Sequence, residues 1–175
     1  MTPLKEATSE KHKLAERMPF NVRMFRGQLT KTQYALYLTQ QHQIFSAIEA
    51  VGVPHPALCR VAATEQDIRE LVEQGHHAGS VLPATQQYAQ YLSTLNRDTI
   101  LPHVYLNYLA LIYGGQMMKK MVPSTGRMYE FEQMQEAVQA IRAVQQDAWA
   151  DEVNKGFDFN IAIFDELEKA CLATA

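Results

Sequence analysis

Helix-forming patterns follow one another through almost the whole of this 175-residue sequence. Thr30 and Gln33 match a capping box, apolar side chains recur at helical spacing after them, and Gly52 closes that segment. The same signals predict further helices at about 2–17, 56–63, 64–75, 83–95, 98–121, 130–154 and 157–172. Gly156 is expected to separate the last two. Because strand-like alternation is absent, the sequence predicts an all-α multi-helix bundle.

The composition narrows the class of protein without naming a function. Apolar residues make up 47% and charged residues 20% of the chain, which is typical of one globular domain spanning residues 1–175. A net charge of −3 indicates neither nucleic-acid nor membrane binding. Cys59 and Cys171 lie too far apart to suggest a disulfide framework or a thiolate metal site. With no signal segment and no apolar run of transmembrane length, a cytoplasmic protein is expected.

Two adjacent glycines, Gly114 and Gly115, interrupt the most apolar predicted helix. Each glycine in a helix interior lowers helix stability by about 1 kcal/mol relative to alanine, so the pair predicts a soft point or a kink. The missing side chains leave room for a flat ligand against the backbone. They leave equal room for a second helix that crosses closely, and the glycines alone do not exclude that interpretation.

The predicted first helix places His12 at the border between an apolar stripe and solvent. Lys5 lies two turns before it and Glu16 one turn after it. The stripe consists of Leu4, Ala7, Leu14, Ala15 and Met18. A metal-binding histidine usually donates its second ring N–H to a carboxylate, and Glu16 is spaced to accept it. The same spacing fits an ordinary surface ion pair, so both interpretations stay open.

The glycine-bearing helix should present one face of small and apolar residues. By angular count, that face contains His103, Asn107, Ala110, Leu111, Gly114, Met118 and Met121. No carboxylate lies on it. The face is therefore suited to an apolar ligand or to plain packing.

Several segments, in the correct order, resemble the haem oxygenases. They are residues 4–12, 15–16, 27–30, 44–49, 103–109, 114–116, 119–120, 129–132, 157–161 and 164–167. The resemblance covers most of the chain. It implies a haem oxygenase-like helical bundle in which haem, both substrate and cofactor, lies between the first helix and the glycine-bearing helix.

The resemblance also implies roles for particular residues. His12 would be the axial iron ligand, Glu16 its hydrogen-bonding partner, and Lys5 and Arg142 contacts of the haem propionates. The oxygen-binding side would involve Gly114, Gly115, His103, Asn107 and Leu111. The remaining haem contacts would be Tyr105, Ala110, Met118, Phe157, Asn160 and Phe164.

One departure from the family pattern concerns proton supply. The family usually carries Gly-Asp two positions after the tyrosine that corresponds to Tyr108, and here Ala110 and Leu111 stand there. That aspartate orders the water that donates protons to bound oxygen, whereas a leucine side chain neither donates nor accepts a hydrogen bond. Asn107 stands where the family has an arginine. Either other groups order this water, or the oxygenase chemistry is impaired.

The expected products are a biliverdin, carbon monoxide and ferrous iron. The sequence has no G-x-G-x-x-G fingerprint, so electrons should come from an external ferredoxin, flavodoxin or flavoprotein reductase. Six cations either form a basic docking face for an acidic electron donor or are scattered solvated charges. They are Lys11, Lys13, Arg17, Lys119, Lys120 and Arg127.

Two other classes of function remain as alternatives. Leu111 favours a non-catalytic or weakly active haem- or bilin-binding protein of the same fold. A di-iron carboxylate protein would need two Glu-x-x-His motifs, and only Glu73 with His76 matches one.

Overall fold

The computed structural model describes residues 1–173, within which helices are joined by turns and short 3-10 segments and no strand occurs. The helices are α1 (Leu4–Ala7), α2 (Ser9–Glu16), α3 (Pro19–Phe25), α4 (Lys31–Val51), α5 (Val61–Glu73), α6 (Pro83–Ser93), α7 (Leu101–Met121), α8 (Met134–Val144) and α9 (Ala150–Ala173). The prediction of an all-α bundle is confirmed.

The long helix α4 forms where local signals predicted it. The Thr30 hydroxyl accepts from the Gln33 backbone N–H at 3.1 Å, and the Gln33 side chain accepts from the Thr30 N–H at 3.1 Å. Gly52 then ends the helix with φ of 140°. Helix α4 packs on α5 and α6, and its fully buried Tyr34, Leu38 and Phe45 contribute to the main core.

Helix α9 connects the N-terminal helices with the rest of the bundle. It packs against α2, α3, α6 and α7. A second, smaller hydrophobic cluster joins the N-terminal helices to the start of α9. Its buried members are Leu4, Ala15, Leu106, Trp149, Val153 and Phe157. The main core and this cluster thus meet along α7 and α9.

The predicted break at Gly156 is wrong, because α9 runs through it without interruption. A Cβ atom at Gly156 would lie 2.5 Å from Leu106 Cδ2 on α7. The glycine therefore permits a close helix crossing instead of ending a helix. The chain breaks earlier, at Gln145 and Gln146, before the short 3-10 turn Asp147–Trp149.

Three other boundaries also differ from the prediction. Helix α5 begins at Val61, and Thr64 lies buried inside it with its hydroxyl donating to the Arg60 carbonyl. The N-terminal segment is two helices divided at Thr8, and α3 was not predicted.

Leu14, which the sequence pattern assigned to the apolar stripe of the first helix, is 48% exposed.

None of the helices among residues 1–173 combines the length and the apolar character needed to cross a membrane.

Candidate functional site

His12 is an accessible imidazole held in a defined orientation. Its Nε2 lies 2.9 Å from Glu16 Oε1, and 57% of the side chain is exposed. The ring stacks on Phe157 of α9, with 5.5 Å between centroids and 21° between planes. The Lys11 ammonium contacts Asp158 at 2.6 Å and so fastens α2 to α9 beside this stack. The imidazole is therefore oriented by two neighbours while one side remains open to solvent.

The two adjacent glycines of α7 serve different purposes. A Cβ atom at Gly115 would lie 3.2 Å from the Tyr129 ring, which makes Gly115 a packing glycine. A Cβ atom at Gly114 would meet nothing within 4 Å. The helix continues through both, so the soft point produces no break. Gly115 is thus explained by close packing. For Gly114, the interpretation that its missing side chain leaves room for a ligand stays open.

The open side of α7 is apolar. Tyr113 is 63% and Met117 54% exposed, and Ala110 and Met121 are also exposed. Large apolar side chains left in water on one helix face are typical of a binding surface. Together with Gly114, they form an uncovered apolar face, which we call the open face of α7.

Helices α2 and α7 share no extensive interface and pack instead on α9. Phe157 of α9 supports His12. One turn later, Asn160 Nδ2 donates to Asn107 Oδ1 of α7 at 3.4 Å. Helix α9 thus contacts both the helix that carries His12 and the helix that carries Gly114.

His103 lies inside the protein, away from the open face. Its side chain is fully buried, with Nδ1 2.7 Å from the Tyr88 hydroxyl and Nε2 2.8 Å from Glu152 Oε1. Burial holds the pKa of His103 below its ordinary value, although Glu152 acts in the opposite direction. Partial burial of Glu152 acts to raise its pKa, but hydrogen bonds from Tyr91 and His103 outweigh this and lower it. The pair is thus a neutral imidazole beside a carboxylate.

The angular count grouped buried and open residues on one face. Leu111 and Met118 are buried in the main core together with the neighbours of His103, whereas Ala110 and Gly114 face outward. Asn107 is buried, and its Nδ2 donates to the Tyr88 hydroxyl at 3.0 Å. Leu111 and Met118 therefore lie on the flank of this face that turns into the core, and His103 and Asn107 lie on the part of α7 that α6 and α9 cover.

The remaining predicted contacts fall into separate groups. Exposed Arg142 donates to the Tyr113 hydroxyl at 3.1 Å, and its guanidinium lies 6.0 Å from the centre of the half-buried Tyr105 ring. Phe164 stacks with Phe20 and Tyr37 on the α3 side of α9. Lys5 is exposed on α1.

Two of the six cations expected in a docking face are paired with acids of the same chain. Lys11 contacts Asp158, and Lys119 contacts Glu130 at 2.7 Å. The docking face stays a prediction. The residues of the Glu-x-x-His match do not share a helix, since Glu73 ends α5 and His76 lies beyond it.

Sequence reasoning missed Glu152 and Tyr88, the two partners of His103. They lie 49 and 15 positions from it, and no local spacing links them. The one available signal was Gly156, whose absent side chain makes room for Leu106, His103 and Tyr88.

Comparisons with known proteins agree on one family. The family model described as Heme oxygenase matches residues 1–166. Heme oxygenase 1 of Gallus gallus is 29% identical over an alignment covering 95% of this chain and 69% of that protein. Heme oxygenase 1 of Homo sapiens is 28% identical, with 95% and 70% covered. The chain spans about two thirds of the length of these vertebrate relatives.

Solved structures match over nearly the whole fold. The heme oxygenase of Leptospira interrogans superposes with a TM-score of 0.78 at 25% identity, covering 93% of this chain and 97% of the other. Heme oxygenase-1 of the cyanobacterium Synechocystis, crystallised with heme, gives a TM-score of 0.81 at 22% identity, covering 98% and 93%. Because the family model accounts for all but the last nine of the 175 residues, this chain belongs to the haem oxygenase family.

Proposed function

We propose that this protein binds haem between α2 and the open face of α7, with His12 as the axial ligand, and degrades it oxidatively to biliverdin, carbon monoxide and ferrous iron. The observation that carries the proposal is the placing of an oriented, accessible imidazole and an uncovered Gly114 on two helices that both pack on α9 and share no extensive interface with each other. Membership of a family of haem-degrading oxidoreductases supports the same reading.

The residues present fit a haem. The space beside Gly114 would be filled by any Cβ, and the exposed side chains around it are apolar, as a porphyrin face requires. Exposed Lys5 and Arg142 would supply cations for the propionate carboxylates. Haem would supply the iron that binds and activates dioxygen and the porphyrin ring that is oxidised.

Glu16 prepares His12 for coordination. Nε2 of His12 now faces Glu16 Oε1 at 2.9 Å. Coordination through Nε2 with Nδ1–H on Glu16 would need the imidazole to change both χ1 and χ2, because a half-turn about Cβ–Cγ alone exchanges Nε2 with Cε1. A carboxylate that accepts the second ring N–H fixes the tautomer and makes the ligating nitrogen more basic.

On the opposite side, the main chain at Gly114 would define how closely a ligand approaches α7. Leu111 is buried and apolar, so it holds no water there. Water near the site would have to be ordered by Asn107, Asn160 or main-chain groups. Electrons would come from an external donor such as a ferredoxin, flavodoxin or flavoprotein reductase.

A second candidate function is a non-catalytic or weakly active haem or bilin carrier. The observation that favours it is the same buried Leu111 where the family resemblance expects an aspartate. A carrier would use the same two helices and the same axial ligand, so only turnover separates the two functions.

Titration with hemin tests the binding site. The wild-type protein and His42→Ala should give the absorption spectrum of a histidine-ligated haem, whereas His12→Ala should lose it. His42 is a matched control because its Nε2 also lies 2.9 Å from a glutamate, Glu65. Glu16→Gln should weaken hemin binding by about 10- to 100-fold. An unchanged His12→Ala spectrum would refute the axial assignment.

Turnover is tested by adding a reducing system and oxygen to the hemin complex. An oxygenase should lose the haem Soret band and release biliverdin and iron. A complex that keeps its Soret band through this treatment would contradict the oxygenase and establish the carrier.

A further inference from the structure

A continuous chain of hydrogen bonds crosses the buried contact between α6, α7 and α9. Glu152 Oε1 is 2.8 Å from His103 Nε2, and His103 Nδ1 is 2.7 Å from the Tyr88 hydroxyl. The Tyr88 oxygen is 3.0 Å from Asn107 Nδ2, and Asn107 Oδ1 is 3.4 Å from Asn160 Nδ2. The chain begins at a carboxylate whose side chain is 31% exposed and ends at Asn160, one turn of α9 after the Phe157 that stacks on His12.

The chemistry of the groups fixes the direction of every bond in this chain. An ionised Glu152 only accepts, so His103 Nε2 carries the proton. Buried His103 is neutral, which leaves Nδ1 as an acceptor for the Tyr88 O–H. The Tyr88 oxygen then accepts from the Asn107 amide, and Asn107 Oδ1 accepts from Asn160. Each donor therefore points toward Glu152.

Such a chain does not conduct protons to the site. At the joint between Tyr88 and Asn107, the tyrosine oxygen faces an amide nitrogen, which has no lone pair available to take a proton. What the chain transmits is orientation, because an asparagine amide can present either its oxygen or its NH₂ group to a neighbour. The Asn107 NH₂ group also donates to the His103 carbonyl at 2.9 Å, so the Tyr88 hydroxyl is one of the two acceptors that orient it.

The surroundings of His103 keep the chain in one arrangement. Tyr91 also donates to Glu152 Oε1, and the Lys155 ammonium lies over the Tyr91 ring, 4.0 Å from its centre. The Tyr88 ring stacks on Phe159 at 4.7 Å. Around the histidine, the titratable groups of α6 and α9 are Tyr88, Tyr91, Glu152 and Lys155, and the carboxylate is the only anion among these four.

We propose that Glu152 is a positioning residue which, through His103 and Tyr88, sets the orientation of the Asn107 and Asn160 amides at the border of the haem site. The part of this inference that concerns haem rests on the proposed function. Because Asn160 Nδ2 donates to Asn107, the amide oxygen and the second N–H of Asn160 are held in a fixed orientation toward water or ligand. These amide groups would supply the ordered polar atoms beside the haem site that the apolar Leu111 side chain lacks.

Nuclear magnetic resonance of the haem-free protein tests the chain directly. Wild-type His103 should be a single neutral tautomer with its proton on Nε2. Glu152→Gln should add the second tautomer, since a glutamine amide offers either an acceptor or a donor. The side-chain NH₂ signals of Asn107 and Asn160 should shift in the same variant.

Two further variants complete this experiment. Tyr88→Phe should leave the Nε2–H tautomer intact but shift the Asn107 and Asn160 signals, because it cuts the chain beyond His103. Glu65→Gln makes the same chemical change at the His42 pair and should leave both asparagines unmoved. A wild-type proton on Nδ1 of His103, or unmoved asparagine signals in both Glu152→Gln and Tyr88→Phe, would overturn the proposal.

Addition of the diamagnetic zinc protoporphyrin separates this inference from the proposed function. Binding should shift the Asn160 NH₂ signal in the wild-type protein. If the porphyrin binds without moving that signal, the positioning role fails and the proposed function stands. If it does not bind, the haem part of the inference fails with the proposed function, whatever the haem-free spectra show.

Discussion

The molecule contains two regions built from similar parts, a histidine–glutamate pair and a helix glycine. In the open region, His12 and Glu16 are exposed and Gly114 faces empty space. In the closed region, His103 is fully buried against Glu152, and Gly156 is surrounded by Leu106, His103 and Tyr88. The two pairs have nearly equal N–O separations, 2.9 Å and 2.8 Å.

The contrast teaches that the pair geometry alone does not define a role. An imidazole with an exposed face can take a ligand on its free nitrogen. An imidazole with both nitrogens engaged inside the core can only orient its neighbours. The same distinction applies to the glycines, since one leaves space for a ligand and the other allows two helices to approach. The following changes should therefore have different effects in the two regions.

The largest difference should appear when the histidines are removed. His103→Ala deprives the buried Tyr88 hydroxyl of its acceptor and leaves a cavity, so it should lower the free energy of unfolding by on the order of 3 kcal/mol. His12→Ala changes an exposed side chain and should stay within about 0.5 kcal/mol of the wild type. Urea denaturation measures both. Equal losses in the two variants would contradict the division into open and closed regions.

Replacing each glycine by alanine should change the free energy of unfolding by a smaller amount, and the change should differ between Gly114 and Gly156. Gly114→Ala should raise the free energy of unfolding by about 1 kcal/mol through helix propensity, because its Cβ meets no atom within 4 Å, and should weaken hemin binding. Gly156→Ala gains the same propensity but overpacks the crossing with α7 by about 1–3 kcal/mol. Thermal unfolding should therefore place the Gly114 variant above the Gly156 variant. Equal stabilisation of the two variants would show that the crossing relaxes freely and would contradict this contrast.

The smallest effect should be the pH dependence of the closed region. Because burial keeps the pKa of His103 below 6.5 in the folded state, the unfolded state takes up the proton first as pH falls below about 6.5. Stability should then decrease by up to about 1.4 kcal/mol per pH unit until folded His103 also titrates. His103→Gln should flatten this slope between pH 7 and 5. A slope that the variant leaves unchanged would place the responsible group elsewhere.

Local signals in the sequence were reliable where local contacts decide the structure. Thr30 and Gln33 form the predicted capping box because both partners lie within one turn. Thr64 and Gly156 misled for the opposite reason: each was interpreted as a boundary, and each is determined by packing against distant parts of the chain. The break before α9 carries no glycine or proline at Gln145 or Gln146.

For the candidate site, the sequence supplied the pairing of His12 with Glu16, which depends on helical spacing alone. It did not show that this face of α7 is covered at His103 and Asn107 but open beyond Ala110, because an angular count gives the side of a helix and not what packs against each turn. Nor did it supply Glu152, whose contact with His103 spans 49 positions. Such contacts follow from how α7 and α9 cross.

The small hydrophobic cluster described above has a consequence for how the N-terminus behaves. Residues 1–17 are fastened by Leu4 and Ala15, by the stack of His12 on Phe157, and by the ion pair of Lys11 with Asp158. Three hydrogen bonds add to these, from Leu4 N to Asp147, from Asn154 to the Ala7 carbonyl and from Asn21 to the Ala15 carbonyl. Because this segment has fewer buried side chains than the main core, we expect it to open by local unfolding before α4 to α6. A planar ligand bonded to His12 and resting on α7 would join the two clusters across the gap. Binding of that ligand and docking of the N-terminal helices would then be coupled, so that each favours the other.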